Sequence, residues 1–118
     1  MQRIPFRRSY ALATTLADTP EISFKGWAGG MIHVPASSTA TLLTFYSAAD
    51  VTGGLSETNA SGGYAPTFVA AKDVSNVAVT LTISSGASAI PIPTAMFGSG
   101  AIKIVANVAF TADVSFKS

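Results

Sequence analysis

The chain has 118 residues, enough for one domain around one core and too few for two ordinary ones. Hydrophobic residues make up 48% and charged residues 11%, so the chain is not a disordered one, and its surface is short of charge against about 25% in ordinary soluble domains. With no cysteine and one histidine, disulfides and thiolate metal sites are excluded, and the formal net charge is +1.

In chain order, the first ten residues, MQRIPFRRSY, hold three arginines and no acid, while the rest of the chain has four lysines against six acids. Pro5 disfavours a helical Ile4 and withholds a backbone donor, so residues 1–10 read as an extended cationic arm. Its candidate partner contacts are Arg3, Ile4, Phe6, Arg7, Arg8 and Tyr10, with forked guanidinium groups for carboxylates and apolar side chains for grooves. Three arginines without a basic sheet face fall short of a nucleic-acid footprint. The same segment has no long apolar core, so it does not read as an export signal, and synthesis in a reducing cytoplasm is expected.

Residues 11–16 form a candidate edge strand. Residues 21–25 alternate around Ile22 and Phe24, and residues 30–34 make another strand after the flexible Gly26–Gly29 stretch. Pro35 and its small neighbours turn the chain into residues 39–47, rich in Thr, Leu, Phe and Tyr. Residues 50–66 read as a long polar loop, and 67–71 as a short strand. In residues 77–84 every odd position is a large aliphatic and every even one is small or polar. Ser85-Gly86 is a turn, and residues 91–98 read as a proline-rich bend with one helical turn. Residues 101–108 and 111–117 complete the set, the latter alternating Ala112, Val114 and Phe116 with polar neighbours. Val79, Leu81, Ile83, Val114 and Phe116 should therefore share one core. No apolar run is long enough for a helix to cross a bilayer. The expected fold is all-β: a single β-sandwich over residues 11–118, jelly-roll or immunoglobulin-like, carrying the arm 1–10.

The titratable inventory offers little chemistry. His33 lies in a strand between Ile32 and Val34, and the six acids are scattered, so no general base, nucleophile or calcium loop is assembled by spacing. Asp50 and Glu57 share one loop, where solvated acids are the simpler reading. No P-loop, G-x-S-x-G or dinucleotide fingerprint occurs. Neither catalysis, a cofactor nor a metal is expected.

From Phe24 onward the pattern resembles small β-sandwich virion proteins of tailed bacteriophages. The matching pieces are residues 24–30 (FKGWAGG), 32–35 (IHVP), 43–50 (LTFYSAAD), 89–93 (AIPIP), 96–98 (MFG), 102–105 (IKIV) and 114–117 (VSFK). The resemblance implies a capsid decoration, or cement, protein on the virion surface, with the major capsid protein or another virion protein as partner. It also implies a homo-oligomer, a trimer by analogy. Alternatives are a tail, baseplate or neck component, and a carbohydrate-binding sandwich that stacks sugars on Trp27, Tyr46 and Tyr64.

Overall fold

A computed structural model describes residues 6–24, 27–50, 67–84 and 86–117, with Phe6 described through its backbone alone. The strands are β1 (Phe6–Leu12), β2 (Ile22–Ser23), β3 (Gly29–Val34), β4 (Leu42–Ala48), β5 (Val69–Ala70), β6 (Thr80–Thr82), β7 (Ser88–Pro91), β8 (Ala101–Ala106) and β9 (Phe110–Lys117). A 3-10 turn at Thr94–Met96 follows β7, inside the bend expected there. The strands form two packed antiparallel sheets. Sheet A has the order β1-β9-β3-β7; in sheet B, β2, β8 and β4 lie side by side, and both β5 and β6 line the far flank of β4.

The pairing is nested. β1 pairs with β9, β2 with β8, β3 with β7, and β4 with β5 and β6. The chain is thus one long hairpin rolled up until β9 also meets β3 and β8 also meets β4. That is the strand plan of a jelly roll, and it decides between the two sandwich topologies left open by the sequence. β5 and β6 behave as a single strand with an excursion. Ala71 N–H donates to the Phe45 carbonyl at 3.0 Å, and Phe45 N–H donates to the Val79 carbonyl at 3.1 Å. Residues 72–78 loop out between those two contacts as an ear.

Alternation places the core. Phe45, Leu43, Ile102, Ile104, Ile32, Val114 and Phe116 point between the sheets and are fully buried. Val79 and Ile83 are buried as expected, and Leu81 packs against the same cluster while remaining half-exposed. Phe24 bridges the end of the sandwich, stacked on Phe97 at 5.0 Å and edge-on to Phe116 at 5.5 Å. Gly100 enters β8 between two neighbours: its N–H donates to the Ala48 carbonyl and its carbonyl accepts from Phe24 N–H, both at 3.0 Å. A Cβ at Gly100 would collide with the Ala49 carbonyl and lie 2.6 Å from the Asp50 Cα.

Two sequence readings change. The boundary after residue 10 does not hold, because Phe6–Leu12 is one strand paired along its length with β9, from Phe6↔Phe116 to Leu12↔Phe110. Exposed arginines on an edge strand discourage stray pairing, so their charge marks a protected edge as readily as a loose arm. Beyond Leu12 the chain turns instead of continuing to residue 16. Ala13 N–H donates to Thr19 Oγ1 at 3.3 Å, and Thr19 Oγ1 donates to the Thr15 carbonyl at 2.9 Å. In addition, Ser88–Pro91 is a strand at the outer edge of sheet A, where a terminal proline costs no ladder bond. Most of the expected loop, residues 51–66, lies outside the described residues.

Candidate interaction surfaces

The arm residues separate. Arg3 and Ile4 lie outside the described residues, and Phe6 is placed by its backbone opposite Phe116. Arg7 and Arg8 are both exposed, and as neighbours in a strand they project from opposite faces. Arg7 stands across from Ser115, while the Arg8 guanidinium lies 5.8 Å from the centre of the Tyr10 ring. Arg8 also lines a polar recess of about 530 Å³ between β1 and the turn before β2, shared with Asp18 and Glu21. Within it Asp18 accepts a 2.9 Å hydrogen bond from Thr15 Oγ1.

Tyr10 is buried in the core, so it is not free to anchor on a partner. Burial raises its pKa above the ordinary 10.0, and the Arg8 charge pulls it part of the way back. A folded pKa above the unfolded one means the fold holds the proton more tightly. The stability linked to it is complete below pH 10.0 and is lost as pH rises from there through the folded value. Tyr10→Phe should therefore flatten the alkaline decline of the melting temperature above pH 10.0. Parallel declines in parent and variant would show that Tyr10 does not carry it.

Polar side chains gather on the outer face of sheet A. Ser9, Asp113 and His33 fall in one cross-strand row, and Ser9 Oγ donates to Asp113 Oδ1 at 2.5 Å. His33 Nε2 lies 3.4 Å from Ser115 Oγ. Serine, histidine and aspartate are thus close, yet the histidine does not stand between the other two. Among the described residues no hydrogen bond joins His33 to Asp113, so a serine–histidine–carboxylate relay is not assembled. No group of three or more metal-ligating side chains comes together among the described residues. Asp50 is described, and Glu57 lies outside the described residues.

Sheet B contrasts with sheet A. Lys103 is the single charged residue among its strands. Its Nζ donates to the Leu16 carbonyl at 3.2 Å and sits 5.0 Å from the Phe68 ring centre. Around it the outer face carries Thr44, Tyr46, Thr80, Thr82 and Val105. Trp27 is stacked on Phe116 of sheet A at 5.4 Å, whereas Tyr46 stands opposite Lys103 and Ala70 in sheet B. The two aromatic residues do not share a surface, and Tyr64 lies outside the described residues.

Two features had not been expected from the sequence. The first is a groove of about 440 Å³ at one end of sheet A, lined chiefly by Gly29, Gly30, Met31, Ile92, Phe97 and Phe116. Gly30 lets Ile92 pack tightly against β3 beside it: a Cβ there would lie 2.8 Å from both Ile92 Cδ1 and the Ser115 carbonyl. Ile92 N–H donates to the Gly30 carbonyl at 3.0 Å, extending β7 past its proline. Lys117 is the charged residue of the lining.

The second feature is the ear, residues 72–78. Asp73 Oδ1 accepts from Ser75 N–H at 2.8 Å and from Val77 N–H at 3.0 Å. Asp73 N–H donates to the Val77 carbonyl, and Asn76 N–H to the Asp73 carbonyl, both at 2.9 Å. Asn76 takes the left-handed conformation at φ 62°, which asparagine tolerates better than most residues. At the apex Val74 is 107% exposed, making no packing contact with its own chain. Asp73→Ala should cost about 1–2 kcal/mol, since two backbone donors lose their acceptor. A fall of several degrees in melting temperature is expected, and an unchanged one would place the rigidity elsewhere. The sequence held a signal for the ear in Asp73-Val74-Ser75-Asn76, a turn-forming set between two apolar runs; for the groove it held Gly29-Gly30 alone.

Comparison of the chain with protein-family models, curated proteins and solved structures finds no match.

Proposed function

We propose that this chain is a non-enzymatic virion structural protein, a capsid decoration protein that binds the outer face of a phage head and stabilises the shell. The jelly-roll strand plan carries this reading, by fold-level analogy with the viral capsid domains that share it. The sequence resemblance to phage β-sandwich proteins points the same way. The scarcity of charge supports it too, because one charged residue in all the strands of sheet B suits a face covered by protein better than one left in water. The mechanism is contact: each bound copy favours the assembled lattice, and many weak copies act together. A homo-oligomer, a trimer by analogy, is the form proposed on the particle.

Purified particles test this directly. An antibody raised against the chain should label heads, with peptides of the chain present in proportion to the major capsid protein. Label confined to tails would move the protein to a tail, baseplate or neck role. Absence from purified particles would overturn the reading.

A further inference from the structure

We infer that the open edge of β1 takes an extended, acidic segment of another protein as a further strand of sheet A. The inference rests on how the sheet edges are closed and is independent of the virion reading.

The two sheets have an edge on each side, and all but one of these edges are blunted. β7 is four residues long and ends on Pro91, with Pro93 close behind it. β2 has only two residues. On the far flank of β4, β5 and β6 have two and three residues and are held apart by residues 72–78. Shortness, proline and interruption are the usual means of keeping a strand from pairing with a stranger. β1 has none of them. It runs for seven residues without proline, about 23 Å, and among the described residues its backbone is paired with β9 alone.

Space is left beside it. The recess of about 530 Å³ has Arg8, Ser9, Tyr10 and Ala11 along one wall and residues 17–21 along the other. Consecutive residues of one strand face the hollow, so it follows the strand, and that is the shape an added strand fills. Main-chain hydrogen bonds would supply the attraction, and alternate side chains the choice of partner.

Charge decides the chemistry of the occupant. Arg7 projects from the outer face of sheet A, and Asp113, the one acid in that sheet's strands, is held by Ser9 Oγ. A residue placed opposite Arg7 on an added strand would share that face, where a carboxylate complements the guanidinium. The inner side of the same strand would meet Arg8 together with Asp18 and Glu21, a mixed set that favours uncharged side chains. Acid outward and uncharged inward is therefore the pattern that suits this edge. A second β1 does not have it, since two such strands side by side would gather the paired arginines of both copies on one ribbon.

The test uses the isotope-labelled full chain, at neutral pH and low salt, and a peptide with that alternation, acetyl-TEVEVEVT-amide. At about 1 mM peptide, where so short a strand begins to bind, the β1 backbone amides should shift and exchange more slowly, and those of β5, β6 and β7 should not. The lysine counterpart, acetyl-TKVKVKVT-amide, should bind at least about tenfold more weakly. The acidic peptide methylated at every backbone nitrogen should not bind, because it has no donor for the ladder. Arg7→Glu changes an exposed side chain and should leave the melting temperature unaltered while reversing the preference between the two charged peptides. Shifts confined to another edge, equal binding of the methylated peptide, or a preference untouched by Arg7→Glu would each overturn the inference. So would the lack of any response at about 5 mM acidic peptide. Should the β1 amides become protected as protein concentration rises without peptide, the occupant is a second copy and the acidic partner is refuted.

Discussion

Replacing Phe116 by alanine is expected to destabilise the protein by about 3–5 kcal/mol, the range for emptying a core aromatic site. Phe116 is 1% exposed and stands where three packing groups meet: Phe24 edge-on, Trp27 stacked, and Gly30 beneath its ring. The neighbours are held by strand pairing and by each other, so they cannot collapse into the space. A loss of this size is a large part of the stability of a small domain and should lower the melting temperature by roughly 12 °C or more. A variant that melts within a degree or two of the parent would mean that this end of the sandwich contributes little to the fold. Phe116→Leu, which keeps most of the volume, should cost much less.

Gly100→Ala is the second large effect, and it has the opposite cause. Here matter is added where there is no room. The Cβ would meet the Ala49 carbonyl and the Asp50 Cα, which are backbone atoms and cannot rotate away. Relief requires shifting either β4 or the start of β8, and Gly100 is bonded to both sides through Ala48 and Phe24. A cost of about 3 kcal/mol, at the upper end for overpacking, is expected. Urea unfolding should show a lower midpoint with the same slope, the mark of changed stability without a changed unfolded state. A midpoint equal to the parent's would show that the junction yields easily.

How far the sequence carried these conclusions depended on whether a strand alternates. Residues 111–117 and 77–84 carry regular large-small alternation, and their inward residues were legible as core; in the second segment the strand itself is shorter, Thr80–Thr82. β1 was hidden because its outward positions are arginine and serine, and its apolar positions, Tyr10 and Leu12, were divided between an arm and a strand. β7 was hidden by Pro91 and Pro93, which read as a bend although an edge strand tolerates them. The interrupted partner of β4 could not be read as one strand, since its halves meet only in space, through Phe45 and through the Val79 N–H that donates to the Ala71 carbonyl. The groove likewise joins residues from β3, β7, the 3-10 turn and β9, and no local pattern announces such a meeting. Surfaces that recognise by shape leave fainter marks in sequence than catalytic residues do, which is why the fold was more legible than the partner.

The nested pairing also governs when the molecule can come into being. β1 has its neighbour in β9, and Phe6 waits for Phe116, 110 positions later (116 − 6). At a synthesis rate of 5–20 residues per second, the first strand leaves the ribosome roughly 5–20 s before its partner exists. Only the innermost turn, β4 with β5 and β6, can close early, and each outer pair follows in reverse order of its first strand. Until the last strand arrives, Tyr10, Leu12, Ile32 and Val34 have an incomplete core to enter. Such long-range closure is slow and leaves strand edges open. The arginines of β1 then serve the nascent chain before they serve the finished one, by keeping an unpaired edge from joining the edge of another copy.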